Sequence, residues 1–510
     1  MNSNRWLRLL ALLFAFSLVA AACGDSDDDA SDDTSADDSA DAAAADDDAA
    51  EDDGAMEEED DGAMEEDSMA EEDDGAMEEE DDGAMEEEDD SAMEEEDDGA
   101  MEEEDDGAME EEDGGEAAAP NEGDGTLVFG GLLPETGSLA FLGPPEIAGA
   151  ELGIEDVNAG GGVLGQDVVY LPGDSGDNGD VANQTVDRLL AENVDAFLGA
   201  ASSGVSLTVI DKITAANVIH FSPANTSPTF TDYDDNGLYF RTAPSDVVQG
   251  AALADIMIAD GADSAYFLVL NDSYGTGLLE FTKGPYEDAG GVVLGESIYD
   301  PQAETFDAEV AEVVEADPTA IVIIGFEETS NILNGLIEND FGPDNKLVYG
   351  TDGNMGNALA SNFDDPSVLA GMRGTLPGVD VAGELGDFRD RLLATPTGSA
   401  DGGLVDFSYS AETYDAVIVT SLAAIAADSD NPSSIAAEIN GITRDGEKCT
   451  EFAECVALLD AGTDIDYDGV SGALEFIDAG EPSTASILTL EFNDEGSLDV
   501  VGSVIGNIEG

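Results

Sequence analysis

Four strand-to-helix loops carry the side chains best placed to do chemistry. Ala200-Ala201-Ser202-Ser203-Gly204 opens a helix with hydroxyls and small residues, where free backbone N–H groups and the helix dipole favour a carboxylate or phosphate. Ser222-Pro223-Ala224-Asn225-Thr226-Ser227-Pro228 follows His220-Phe221, Asn271-Asp272-Ser273-Tyr274-Gly275 follows Leu270, and Gly350-Thr351-Asp352-Gly353-Asn354 follows Tyr349. Taken one at a time, each reads as an ordinary loop with capping residues. Together they supply anion donors, one carboxylate and aromatic surface.

Other candidate chemistry is weaker. Asp464, Asp466, Asp468, Gly469 and Glu475 match the spacing of a calcium loop. However, Ala473 to Ile477 reads as a strand where the exiting helix should be, position eight is Ser471, and so acidic a chain makes chance matches common. No metal site is therefore assigned. The single histidine, His220, lies inside an apolar strand and reads as a packing residue. No phosphate loop, nucleophile elbow or Cys/His nucleophile pair occurs. The chain is expected to be neither an enzyme nor a cofactor carrier.

The elements that would position these loops alternate regularly. Thr126 to Phe129 reads as a strand, a helix from near Pro145 runs to the glycine stop at Gly160-Gly161-Gly162, and Val168 to Leu171 reads as the next strand. A helix over 181–192, strand Ala196 to Leu198, a helix near 206–216 and strand Val218 to Phe221 follow. The alternation restarts at Ser264 to Leu270 and continues with Val292 to Leu294, Ala320 to Ile324 and Lys346 to Tyr349. Near-continuous apolar strands between amphipathic helices imply parallel sheets covered on both faces. The expected architecture is α/β, two doubly wound lobes, with ligand bound beyond the carboxyl ends of the strands.

Charge and composition constrain partners. The 510 residues hold 121 acidic against 12 basic side chains, a net charge of -109, so no basic surface exists for nucleic acid. Residues 1–125 hold 54 acids and 2 bases, and residues 126–510 hold 67 and 10. The globular part should therefore gain stability in high salt, where its self-repulsion is screened. Arg5 and Arg8 precede the apolar run Leu9 to Ala22, which makes 1–22 a signal peptide. From Asp52 an eight-residue repeat recurs, Asp-Asp-Gly-Ala-Met-Glu-Glu-Glu, as at 52–59, 73–80 and 105–112. Successive Met residues would rotate by about 80° on a helix, so no apolar stripe forms. The segment 23–125 is expected to be a disordered, self-repelling linker. In an exported chain, Cys449 and Cys455, six residues apart, are expected to pair as a disulfide.

Two resemblances sharpen this reading. Val19-Ala20-Ala21-Ala22-Cys23-Gly24 resembles the lipobox of bacterial lipoproteins, which implies lipid on Cys23 and a chain anchored to the outer face of the cell membrane. Ala20 stands where Leu is usual, so cleavage after an Ala-x-Ala site is the alternative. From 126 to 510 the chain resembles the branched-chain amino acid type of substrate-binding protein, the extracytoplasmic receptor of an ABC importer. The likeness rests on Ala148-Gly149-Ala150-Glu151-Leu152 through Gly161, the run from Gly199 to Gly204, Phe221 to Pro228, Asp272 to Gly277, and Tyr467 to Gly472.

The resemblance implies a type I periplasmic-binding fold with three chain crossings near Thr242, Pro377 and Tyr467. Lobe 1 would comprise 126–241 and 378–467, and lobe 2 would comprise 242–377 with the return segment 468–510. It implies that Ser203 and Thr226 hold an amino acid's carboxylate, that the Ala224 carbonyl and Asp352 accept from its ammonium, that Tyr274 closes over it, and that Phe141 and Phe326 line its apolar part. Asp352 is one methylene shorter than the Glu familiar in that family, which bears on the ligand's identity. The physics agrees, since a buried zwitterion needs donors at one end and an acceptor at the other. The implied partners are a small amino acid, branched-chain or aliphatic, and an importer permease. The alternatives are a receptor for amides, urea or another small polar solute, or a sensor feeding a surface partner.

Overall fold

The structure, a computed structural model, describes residues 120–508. The expected signal peptide, Cys23 and nearly all of the segment expected as a linker lie outside the described residues. Residues 120–125, expected as the linker's end, instead join lobe 1. Asn121 Nδ2 donates to the Val194 carbonyl (3.0 Å) and to Asp195 Oδ1 (2.8 Å), and the Asp124 N–H donates to Asp430 Oδ2 (2.7 Å).

Lobe 1 is built on five parallel strands, β1 (Val128–Leu132), β2 (Val169–Leu171), β3 (Ala196–Gly199), β4 (Ile219–Ser222) and β5 (Tyr239–Arg241), in the order β2-β1-β3-β4-β5. Lobe 2 holds β6 (Ser264–Leu270), β7 (Val292–Tyr299), β8 (Ala320–Ile324), β9 (Leu347–Gly350) and β10 (Arg373–Pro377). A short parallel pair, β11 (Glu447–Cys449) and β12 (Ile465–Tyr467), sits on lobe 1. Two long antiparallel strands, β13 (Thr484–Phe492) and β14 (Leu498–Asn507), then extend the second sheet to the order β14-β13-β10-β9-β8-β6-β7. Burial follows position. Central β8 is apolar and buried throughout, whereas edge strand β7 alternates and exposes Val292, Leu294 and Ile298.

In lobe 1 the helices Gly143–Ala159 and Ser410–Ala427 pack closely. A Cβ at Gly149 would stand 2.3 Å from the Ser410 carbonyl oxygen, so only glycine permits this approach. The second helix comes from the far side of the lobe 2 insertion, which makes lobe 1 discontinuous in sequence.

The chain leaves lobe 1 after β5, and the helix Asp246–Ala259 places Leu253, Ala254 and Met257 in the lobe 2 core. It returns after β10, with Val381, Phe388 and Leu392 in the lobe 1 core. The third crossing differs from the expectation at Tyr467. Residues 468–482 stay with lobe 1, because Leu474 and Phe476 are buried in its core, and the chain passes over only between Glu481 and Thr484. Nor is Ala473 to Ile477 a strand. Leu474 and Glu475 have φ of 57° and 44°, which breaks the extended backbone.

The sulfurs of Cys449 and Cys455 are bonded, tying the end of β11 to the helix Phe452–Asp460. Closing so short a loop restricts the unfolded chain by about 2 kcal/mol. Cys455→Ser is expected to lower stability by that amount in denaturant unfolding, and an unchanged midpoint would show the bond to be dispensable.

Candidate ligand-binding cleft

The two lobe 1 loops at the cleft are locked to each other. Ser202 caps the helix Ser203–Ala215 by accepting from the Val205 N–H (3.3 Å), and Ser203 Oγ accepts from the Ser227 N–H (3.3 Å). Ser222 Oγ donates to the Ala200 carbonyl (2.7 Å) and accepts from the Ala224 N–H (3.3 Å). Asn225 Nδ2 donates to the Ala200 and Ala201 carbonyls at 3.0 and 2.8 Å. Beneath them Arg241 Nη1 donates to the Asn225 and Ser227 carbonyls at 3.1 and 2.9 Å. These bonds hold Ser203, Ala224 and Thr226 in one rigid rim.

Lobe 2 presents Asp352 within a buried network. Asp352 Oδ1 accepts from Gln249 Nε2 (2.7 Å) and the Tyr274 hydroxyl (2.8 Å), and Oδ2 accepts from the Tyr409 hydroxyl (2.8 Å). Burial pushes the Asp352 carboxyl above its usual range, and these three donors offset the shift only in part. Asn354 fixes the loop, accepting from the Thr351 N–H (2.8 Å) and donating to the Ile323 carbonyl (2.9 Å).

Tyr409 belongs to lobe 1, so its bond to Asp352 spans the cleft. Ser227 Oγ to the Ser273 carbonyl (2.9 Å) and Asn357 Nδ2 to Asp406 Oδ1 (2.8 Å) span it too, and the lobes are closed on each other. Between them lies a cavity of about 400 Å³ whose walls include Gly137, Phe141, Phe326 and Leu359. That is the size of a small-solute pocket. Phe141 packs against the backbone at Gly356, where a Cβ would come within 2.6 Å of its ring.

Of the residues expected at the site, Phe141 and Phe326 line this cavity. Tyr274 stacks on Phe326 with ring centres 5.7 Å apart, and Ala224 belongs to the same apolar cluster. Ser203, Ala224, Thr226, Tyr274 and Asp352 are buried and do not form its walls. Tyr409 and Gln249 join the network, and Asp246 is buried beside it; none of the three was singled out from sequence. Polar Asp246 and Gln249, three apart at the head of the mostly apolar run 246–254, were the available signal for two of them.

The remaining candidates resolve on local grounds. His220 is fully buried edge-on to Tyr239, and burial holds its pKa down to about 4, so it is neutral. In the acidic loop, Lys448 Nζ stands 3.0 Å from Asp466 Oδ2 and 2.8 Å from Asp468 Oδ1, an internal cation where calcium was considered. Among the described residues no group of three or more His, Cys, Asp and Glu side chains is arranged to hold a metal.

Two α/β lobes, joined by three crossings and closed over a small cavity, define a two-lobed solute-binding protein. Residues 126–448 match the family model described as periplasmic binding protein, and the chain belongs to that family. Its members are extracytoplasmic binding proteins that serve ABC transporters. Among similar proteins, the chemotactic signal transduction system substrate-binding protein BasB of Halobacterium salinarum is 27% identical over 371 residues, 70% of this chain and 85% of that one. A Leu/Ile/Val-binding protein homolog of Brucella abortus is 28% identical over 320 residues, 60% of this chain and 79% of its own. The crystal structure of a leucine-binding protein of Thermotoga maritima has the same fold, with a TM-score of 0.62 at 20% identity, covering 74% of this chain and 99% of that one.

Proposed function

We propose that the protein captures a branched-chain or aliphatic amino acid by cleft closure and delivers it to an ABC importer permease. The observation that carries this reading is Asp352, a buried carboxylate bonded from both lobes and set close to an apolar cavity flanked by Phe141 and Phe326. Oδ2 has one donor, which leaves it a lone pair for an ammonium. Ser203 and Thr226 would take the carboxylate. The relatives named for leucine, isoleucine and valine support the ligand class. Lipid on Cys23 would keep the receptor at the membrane beside the permease.

The test is the melting temperature of the full chain in high salt against aliphatic amino acids, amides and urea. A ligand at about 1,000 times its dissociation constant adds roughly 4 kcal/mol, a shift of about 5 °C for a chain this size. The shift is expected with leucine, isoleucine or valine and is expected to vanish in Asp352→Ala. A shift with amides or urea alone would overturn the ligand class. A second reading, a receptor that feeds a chemosensory partner, is favoured by the similarity to BasB. It would keep the melting shift but leave leucine uptake unchanged in cells lacking the protein.

A further inference from the structure

The lobe 2 sheet ends on two edges that are guarded differently. β7 exposes Val292, Leu294 and Ile298 on one face, but Glu296 stands among them and pairs with Lys283 (2.5 Å). Charge on an edge strand keeps it from pairing with another chain. β14, at the opposite edge, lacks that guard. The run 500–508 carries no charged residue, in a globular part that holds 67 acids. The strand's one acid, Asp499, sits near its start and accepts from Asn493 Nδ2 (3.0 Å). Ile505 is 80% exposed, and Val500, Val501 and Val504 are 42%, 49% and 46% exposed.

Among the described strands β14 pairs only with β13, so one side of its backbone is free. The Ile508 N–H donates to the Ser483 carbonyl (2.9 Å), and the antiparallel ladder alternates from that point. Gly502, Val504 and Gly506 therefore turn their N–H and C=O groups toward β13, while Ser503 and Ile505 turn theirs outward. Val501 is the extra residue opposite the Thr489–Leu490 step, so the regular run begins at Gly502. The free edge thus offers outward donors and acceptors between exposed valine and isoleucine side chains, which is the template for one more strand.

We propose that β14 pairs antiparallel with β14 of a second copy of this chain, joining the two lobe 2 sheets edge to edge. A two-fold axis normal to the sheet keeps every side chain on its own face, so it passes through a residue and not between two. Val504 is the centre of the run from Gly502 to Gly506. With the axis there, Ser503 of each copy exchanges N–H···O bonds with Ile505 of the other, and Val504 meets its own counterpart. Other occupants fit worse. Lipid offers no partner to the outward N–H and C=O groups. A basic segment would find a single acid on the strand, and the acidic repeats would meet a body already strongly negative. An uncharged strand matches an uncharged strand. The pairing uses the lobe 2 sheet alone, which leaves lobe 1 free to open and close. Ten residues make an edge about 33 Å long, and contact limited to it falls short of the roughly 800 Å² per partner of a stable complex, so the association is weak. It also depends on salt, because each copy's excess of acids repels the other's until it is screened.

Sedimentation equilibrium of the full chain is the test. In about 1 M potassium chloride a dimer is expected with a dissociation constant on the order of 10–100 µM, weaker by at least about tenfold in about 0.1 M. Ile505→Lys is expected to weaken it at least about tenfold while melting as wild type does, since a charge on the edge blocks pairing and the side chain is exposed. Ile298→Lys, the same change on β7, is expected to leave it unchanged. Val504→Cys is expected to give a disulfide-linked dimer on oxidation, because facing residues of a non-hydrogen-bonded antiparallel pair stand about 4.5 Å apart at Cα, within reach of the bond. A chain still monomeric at about 500 µM in about 1 M salt would overturn the proposal, as would a dimer indifferent to Ile505→Lys. Slow exchange of the Ser503 and Ile505 amide hydrogens in a monomer would overturn it too, by showing that the same chain covers this edge.

Discussion

Arg241→Met is expected to destabilise the protein by about 3–5 kcal/mol, because it strands a buried glutamate. The two side chains are 0% and 1% exposed. Arg241 Nε donates to Glu481 Oε2 at 2.7 Å, Nη2 bonds the same oxygen, and the Thr231 hydroxyl donates to Oε1 at 3.0 Å. Arg241 ends β5 at the first crossing, and Glu481 stands at the third, so one ion pair clamps two of the three strands of the hinge. The same guanidinium holds the Asn225 and Ser227 carbonyls, so its loss also loosens the rim that carries Thr226. Urea unfolding would show the loss as a lower midpoint. The double variant Arg241→Met, Glu481→Leu should recover most of it, because burying no charge avoids the desolvation cost. A single variant as stable as wild type would mean that the pair contributes nothing beyond a hydrophobic contact.

The parts of this fold legible in the sequence are those whose burial is local. β6 and β8 occupy the residues expected, Ser264 to Leu270 and Ala320 to Ile324, because strands covered on both faces are continuous apolar runs that no helix of that length would need. The third crossing was not legible. Residues 468–482 have no period, and what keeps them on lobe 1 is the burial of Phe476 and the pairing of Glu481 with a residue 240 positions earlier. The site divides the same way. Asp352 follows β9 and Tyr274 opens the helix after β6, strand ends that mark them as candidates, while their roles came from the family resemblance. Tyr409 reaches Asp352 from a helix start 57 residues on, with φ of 59°, and no local pattern announces it. The calcium-like spacing gives no sign of Lys448, the cation that meets Asp466 and Asp468, because Lys448 lies outside the motif.

Raising salt from about 0.1 M to about 1 M is expected to lift the melting temperature by about 5 °C or more. Residues 126–510 hold 67 acids and 10 bases, and every one of those bases already has a carboxylate partner. The excess therefore faces other negative charge. Smeared over a sphere of roughly 27 Å radius, it carries about 70 kcal/mol of self-repulsion at a Debye length of about 10 Å and about 25 kcal/mol at about 3 Å. The unfolded chain shares part of this relief, so the difference is a ceiling. One fifth of it is still about 9 kcal/mol. Against it stand the ion pairs of the nine bases other than Arg241, worth about 3 kcal/mol in all even if salt removed them entirely. With an unfolding entropy of about 0.8 kcal/mol per degree for a chain of this size, the surplus sets the sign and the scale of the shift. Thermal melts of the full chain in potassium chloride, with sucrose as the uncharged control, measure it. Replacing ten exposed aspartates by lysine should flatten the curve, and a melting temperature that does not move in wild type would show that the fold does not feel its own charge.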